Sequence, residues 1–307
     1  MPEPARPLRI AVVAHVFFPA LWPELAAYIA NIPAPFTLFV TLPEGSTAEP
    51  LIRRTHADAE IRYVPNVGRD VAPFLSLYPA LAAFDVVCKL HTKRDGLLHR
   101  EWRLECLKGV LESRGLVTAL LAAFAAHDDL LLAGAADLYL DGPRHVAGNL
   151  PMLHRLQDPL PTAYGFFAGT MFWARPALFA DLAPRFPAAA FSVHRDKDGH
   201  LEHALERLFG ARAATLDGIV ALTRPAPAGR TVDIVPAGSG TARRFSHIYH
   251  FKLPLRHAPT APLTHLPLGA LHEAIGFIQR LQKISANRRA ARRAALDAST
   301  PAGDTSA

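Results

Sequence analysis

Apolar runs of strand length alternate with stretches of helical spacing along the first part of the chain. Leu8 to Ala14 is a continuous, β-branched run that predicts a strand. Leu21 to Ile32 carries its apolar residues at three- and four-residue steps and predicts a helix. Phe36 to Thr41, Glu60 to Val64 and Asp85 to Leu90 repeat the strand pattern, with helices expected at Thr47 to His56 and Val71 to Phe84. Strands alternating with helices predict βαβ units and a largely parallel sheet. This is an α/β fold, and its right-handed crossovers set the carboxyl ends of the strands along one edge.

The pattern then loosens. Glu101 to Ala126 reads as helical, Asp129 to Tyr139 as one or two strands, and Asp141 to Pro161, with its prolines and glycines, as a long loop. Gly165 to Trp173 reads as a buried strand or turn and Asp198 to Phe209 as a helix. Residues 223 to 245, rich in Pro, Gly and Arg, read as a loop or linker, and Gly269 to Leu296 predicts a long helix. The resulting division is an α/β domain over 1–225, a loop-rich segment packing on it over 226–268, a basic amphipathic helix over 269–296 and a disordered tail over 297–307.

Composition narrows the setting. Half of the 307 residues are hydrophobic, enough for one large core. Cys88 and Cys106 form neither a metal spacing nor a disulfide framework, which points to a reducing, cytoplasmic compartment. Met1 to Pro7 lacks the layout of a signal peptide, and no uninterrupted apolar run reaches about 18 residues. The net charge of +6 equals the contribution of Arg280, Lys283, Arg288, Arg289, Arg292 and Arg293. A near-neutral body with a basic tail argues against nucleic acid and for an anionic membrane surface met by residues 280–293.

The candidate chemistry gathers at strand ends. His15 follows the first strand, Thr41 ends the second, Asn66, Gly68, Arg69 and Asp70 follow the third, and Lys89, His91 and Lys93 end the fourth. Open α/β sheets bind ligands at that edge. Gly68 permits a close backbone approach, Arg69 can grip a phosphate pair, and Asp70 can accept from sugar hydroxyls. Asp70 also stands where the N-cap of the next helix belongs. Lys89, His91 and Lys93 alternate and so share one face; a diphosphate between them would relieve their repulsion. Asp198, Glu202 and Glu206 recur every four residues, on one helix face beside His203 and Arg207. Stacked carboxylates of this kind suit a base with a raised pKa. Trp22, Trp102 and Trp173 fit a core better than a sugar-stacking platform.

Five segments in register resemble the rhamnan synthesis F family of bacterial polysaccharide proteins. They are Ala14 to Pro19, Asn66 to Leu75, Val87 to Lys93, Ala168 to Arg175, and Asp198-Gly199 leading into His203 to Phe209. The resemblance covers roughly residues 8 to 225. It implies a glycosyltransferase with a single Rossmann-like, mostly parallel sheet of the GT-A type. The enzyme would move a sugar, rhamnose among the possibilities, from a nucleotide-diphosphate donor to a growing, lipid-linked surface polysaccharide. A metal-binding acidic motif follows the fourth strand in such enzymes, whereas His91-Thr92-Lys93 stands there here. No metal ligand is therefore assigned, no cofactor is predicted, and metal dependence stays open. His15, Thr41, Asn66, Gly68, Arg69, Asp70, Lys89, His91 and Lys93 are expected to bind the donor. Asp198, Glu202 or Glu206 is expected to take the acceptor proton. Gly169, Thr170, Met171 and Trp173 are expected to wall the space where sugar and acceptor meet. The alternative is a non-catalytic subunit that binds glycan or nucleotide sugar within a synthesis complex.

Overall fold

The computed structural model describes residues 6–93, 100–194 and 199–240. Asp198, the expected helix over Gly269 to Leu296 and the tail over 297–307 lie outside the described residues.

The strands are β1 (Ile10–His15), β2 (Phe36–Pro43), β3 (Glu60–Val64), β4 (Val86–His91), β5 (Leu130–Ala135), β6 (Tyr139–Asp141), β7 (Gly165–Phe167), β8 (Phe172–Ala174), β9 (Ile219–Ala226) and β10 (Gly229–Pro236). The helices are α1 (Trp22–Ile29), α2 (Glu49–Arg53), α3 (Val71–Ser76), α4 (Tyr78–Leu81), α5 (Arg100–Leu111), α6 (Arg114–Ala126), α7 (Leu150–Leu156) and α8 (Leu201–Thr215). Eight strands form one sheet in the order β10-β9-β5-β8-β4-β1-β2-β3, and β6 pairs β7 in a small second sheet. β1, β2, β3 and β4 run parallel; β8 is antiparallel to both β4 and β5, and β10 is antiparallel to β9. The expected α/β class with a mostly parallel sheet is therefore present.

Alternation along the central strands builds two cores. Ile10, Val12 and Ala14 of β1, with Val86, Cys88 and Leu90 of β4, face α1, α5 and α6. Ala11 and Val13, with Phe39 and Val87, face α3, α4 and α8. β1 and β4 are buried along their whole length, as strands covered by helices on both faces must be. Trp22 and Trp173 are fully buried, and such side chains contribute about 1.5–3 kcal/mol each on burial. α6 begins at Ser113, whose hydroxyl accepts from the Leu116 amide at 3.2 Å and satisfies one of the unpaired donors at the helix start.

Several expected boundaries are corrected. The helix foreseen over Val71 to Phe84 is two short ones, because Pro79 has no amide to continue the ladder of α3. The Asp141 to Pro161 loop contains α7, which starts with Pro151 in its first turn. The Pro-, Gly- and Arg-rich stretch 223–245 is no linker through Pro236. β9 and β10 are paired over Ile219–Pro236 and close through Pro227 and Ala228. The Arg230 side chain in β10 is buried, its guanidinium meeting Glu105 at 2.6 Å and Glu112 at 3.2 Å. α8 starts after His200 and runs on to Thr215. It passes through Gly210, where a Cβ would lie 1.8 Å from the Gly165 carbonyl; only glycine lets α8 pack this closely on β7.

Among the described residues no single helix is long and apolar enough to cross a membrane.

Candidate functional site

The strand order reverses at β1: β2 and β3 lie to one side, β4 to the other. A ligand crevice is expected outside the carboxyl ends at such a point. A cleft of about 590 Å³ opens there, lined by His15, Phe17, Phe18, Asn66 to Asp70, His91, Thr92, Lys93, Ser192 to His194 and Glu202. A hollow of about 730 Å³ lies at the opposite edge, around Leu8, Ile10 and Phe36. Its two arginines, Arg6 and Arg9, are both held by Asp85, so it is mainly an apolar depression.

Register builds the cleft floor. His15 pairs with Thr41 across β2 and with His91 across β4, which sets three polar side chains in one row. His15 Nδ1 lies 3.0 Å from Thr41 Oγ1, and Thr92 donates its amide to the His15 carbonyl at 2.9 Å. The Phe18 amide in turn donates to Thr92 Oγ1 at 2.9 Å, which fixes the turn after β1. Burial pushes the His15 ring down to about 4; Asp70 opposes this and Lys89 adds to it. Burial likewise takes His91 down to about 3, with Asp70 again opposing. Both rings are therefore neutral at ordinary pH.

Beneath the floor lies a closed ion pair. Lys89 Nζ donates to Asp70 Oδ2 at 2.5 Å and to Thr170 O and Oγ1 at 3.0 Å each. Thr170 Oγ1 donates to the same Asp70 oxygen, and His91 Nδ1 lies 3.5 Å away. Burial works against the Asp70 carboxylate, yet His91, Lys89 and the donated bonds outweigh it and hold the carboxyl well below its ordinary range. Lys89 is 1% exposed, between the rings of Phe74 and Phe172 at 5.5 and 5.8 Å. The expectation that Lys89 faces a bound diphosphate is thus corrected: its anion is Asp70, inside the protein. The N-cap reading of Asp70 is corrected too, since it stands at that position but makes no side-chain cap bond.

Arg69 and Thr170 are non-glycine residues in the left-handed region, at φ 54° and 51°. Such strain clusters at functional sites, and here the two residues flank the Asp70 pair. At Gly68 a Cβ would meet the Phe191 ring at 2.5 Å. Its absence lets Phe191 pack down and brings Ser192, Val193 and His194 across the cleft.

The other expected site residues separate into groups. Asn66, Gly68, Arg69, Asp70, His15, His91, Lys93 and Glu202 line the cleft, and Thr41 supports it through His15. Burial lowers the Lys93 pKa, and its ammonium sits 3.2 Å from the Trp102 ring centre. Glu206 does not line the cleft: Oε1 accepts from the Gly169 amide at 2.6 Å and Oε2 from Arg207 at 2.6 Å. Met171 and Trp173 belong to the core, where the Trp173 indole donates to the Val110 carbonyl. The expected wall of Gly169 to Trp173 thus lies behind the cleft and touches it only through Thr170 and Asp70. Phe17, Phe18, Val67, Thr92, Ser192, Val193 and His194 are cleft residues to which the sequence assigned no site role. A polar run directly ahead of a helix was the available signal for His194.

Among the described residues, the cleft lining does not fit a divalent ion. Arg69 and Lys93 share the cleft, Asp70 is neutralised by Lys89, and no cluster of His, Cys, Asp and Glu among the described residues is arranged to hold a metal.

A model of the rhamnan synthesis protein F family matches residues 2–216, which include every residue lining this cleft. The chain belongs to the rhamnan synthesis protein F family. Two similar proteins, both named uncharacterized protein WxcX and from two strains of Xanthomonas campestris pv. campestris, are 32% identical over 214 residues, 65% of this chain. The chain spans 30% of the length of these curated relatives. β9 and β10 both fall beyond the part matched to the rhamnan synthesis protein F family.

Proposed function

We propose that this chain is a glycosyltransferase of the GT-A-like type that moves a sugar from a nucleotide-diphosphate donor to a growing surface polysaccharide. The observation that carries this reading is the cleft at the β1/β4 switch point. It has the size of a small-molecule site and presents Arg69 and Lys93 beside two neutral histidines. Arg69 offers a planar pair of donors for phosphate oxygens, and Lys93 a point charge for the leaving diphosphate. His15 and His91 donate or accept single hydrogen bonds without adding charge. Exposed Phe17 at the rim, 40% accessible, supplies an apolar face to a base or sugar ring.

Family membership supports polysaccharide synthesis as the setting; to this we add, as part of the proposal, rhamnose among the candidate donor sugars and a lipid-linked acceptor at the cytoplasmic face of the membrane. The basic run 280–293 would then hold the enzyme near that face. The test is a thermal-shift panel of UDP-, GDP- and dTDP-linked hexoses, followed by transfer assays with any that bind. A true donor raises the melting temperature by mass action. A flat response across the panel, nucleoside diphosphates included, would sink the proposal.

A further inference from the structure

We propose that Glu202, positioned by His194, takes the proton of the acceptor hydroxyl, so that transfer is a single displacement with inversion at the anomeric carbon. This rests on the glycosyltransferase reading and adds the acceptor side to it.

Glu202 stands in the first turn of α8, is 2% exposed and lines the same cleft as Arg69 and Lys93. Its Oε1 accepts from His194 Nε2, with Arg69 Nε at 3.5 Å. Its second oxygen, Oε2, is buried and has no hydrogen-bond partner among the described residues. Proteins leave few buried acceptors unmet, because the desolvation penalty is then uncompensated. A donor supplied by a bound ligand would meet it, and an acceptor hydroxyl is such a donor.

Two other carboxylates near the cleft, Glu206 and Asp70, are committed among the described residues. Glu206 has one oxygen on the Gly169 amide and the other on Arg207. Asp70 carries Lys89 and Thr170 on one oxygen, with His91 nearby. Neither can receive a proton without breaking an internal network. Glu202 can, and the His194 ring fixes its orientation. That ring is itself stacked on His200, with centroids 3.3 Å apart and planes at 8°, and His203 packs edge-on at 5.7 Å.

The step balances as follows. The acceptor O–H bond breaks and its proton goes to Glu202 Oε2. The acceptor oxygen forms a bond to the anomeric carbon. The bond from that carbon to the diphosphate oxygen breaks, and its electron pair stays on the diphosphate, facing Arg69 and Lys93. The proton is later released to water. One displacement of this kind inverts the anomeric configuration.

The experiment uses the full chain and whichever hexose nucleotide of the panel gives the largest thermal shift. Glu202→Gln is expected to keep donor affinity within about twofold by calorimetry while kcat falls by about 10²–10⁴, the usual range for a lost general base. His194→Ala is expected to lower kcat less and to move the acid limb of the kcat–pH profile. His194→Gln, which keeps a donor toward Glu202, should restore part of the rate. NMR of the wild-type product should show inversion. Wild-type kcat in Glu202→Gln, or a product of retained configuration, overturns the proposal and leaves the glycosyltransferase reading standing. If Glu202→Gln does not fold, the product configuration and the His194 pair decide; equal profiles for His194→Ala and wild type overturn it. A wild-type protein that binds no nucleotide sugar overturns both readings together.

Discussion

Asp70 and Lys89 meet at 2.5 Å under the cleft floor, a carboxylate from the loop after β3 and an ammonium from the middle of β4. They come from elements 19 residues apart and are joined by Thr170 from the β7–β8 turn. Three separate parts of the chain are thereby tied at one point. The pair neutralises itself, so the charge offered to a ligand comes from Arg69 and Lys93.

Replacing Lys89 by Met should therefore act on stability before it acts on binding. It leaves Asp70 and Thr170 Oγ1 buried without their cation, and breaking one side of a buried pair costs about 3–5 kcal/mol. Adding Asp70→Asn should recover part of that loss, since a neutral amide has no charge to strand. Urea denaturation of the single and double variants measures both. A Lys89→Met protein as stable as wild type would show that the pair carries no net energy.

Acid should weaken the fold through the two cleft histidines. His15 and His91 titrate at about 4 and about 3 in the folded protein and near 6.5 when unfolded. Between those values the unfolded chain binds more protons, so stability rises with pH and is lost as pH falls. Above 6.5 the contribution is complete. The melting temperature should be level from pH 8 to 7 and decline from 6.5 toward 4, with His15 alone worth on the order of 3 kcal/mol. His15→Asn, which does not titrate, should flatten the decline. The depressed Asp70 carboxyl adds a further loss only as pH falls below about 4.

Gly210→Ala should be among the most damaging small changes. The added methyl would sit 1.8 Å from the Gly165 oxygen and 2.9 Å from the Phe166 Cα, both backbone atoms that cannot rotate away. A loss of about 3 kcal/mol is expected, at the upper end for overpacking. Gly115→Ala is the control: it lies in α6 with only Ser113 Oγ at 3.8 Å and should be neutral or slightly stabilising. Equal melting temperatures for the two variants would contradict the close α8–β7 approach.

The parallel half of the sheet was legible because β1, β2 and β4 are largely buried and read as mainly apolar, strand-length runs whose few polar residues cluster toward their ends. The same legibility placed His15, Arg69, His91 and Lys93 at one edge, since strand ends follow from strand positions. The β9–β10 hairpin was hidden: Pro225 lies beyond the stretch of β9 that pairs with β5, where a missing amide is tolerated, and the partners of Arg230 lie on α5 and just beyond it, far away in sequence. Lys89 was misread for the same reason. Alternation showed which face it occupies, but only tertiary structure shows that Asp70 reaches it first. His194 reaches the cleft through the contact of Phe191 with Gly68, which no local pattern encodes.

Arg69→Ala should weaken donor binding without unfolding the protein. The side chain is 48% exposed and lies 3.5 Å from Glu202. A charge-assisted hydrogen bond is worth about 1–3 kcal/mol, so the dissociation constant should rise roughly tenfold to a hundredfold. Calorimetry with the best nucleotide sugar gives the number, and repeating it in excess chelator should leave wild-type binding unchanged. An unaltered affinity in Arg69→Ala removes the residue from the donor site. Lost binding in chelator would instead assign a metal to it.

Residues 269–296 carry the membrane prediction. Leu271, Ile275, Ile278, Leu281 and Ile284 recur at three- and four-residue steps, which gives one apolar stripe on a helix. Arg280, Lys283, Arg288, Arg289, Arg292 and Arg293 follow with no acid before Asp297. Each basic residue near an anionic leaflet contributes about 1 kcal/mol, so the six together suffice for reversible attachment. A lipid-linked acceptor would make such attachment useful, because it confines enzyme and acceptor to one surface. Sedimentation with anionic liposomes should pellet the full chain at low salt, neutral liposomes should not, and high salt should release it as the attraction is screened. A version ending at Ser285 keeps the apolar stripe but loses Arg288, Arg289, Arg292 and Arg293, and it should bind far more weakly. Equal pelleting of the two forms would show that the basic run has no part in membrane binding.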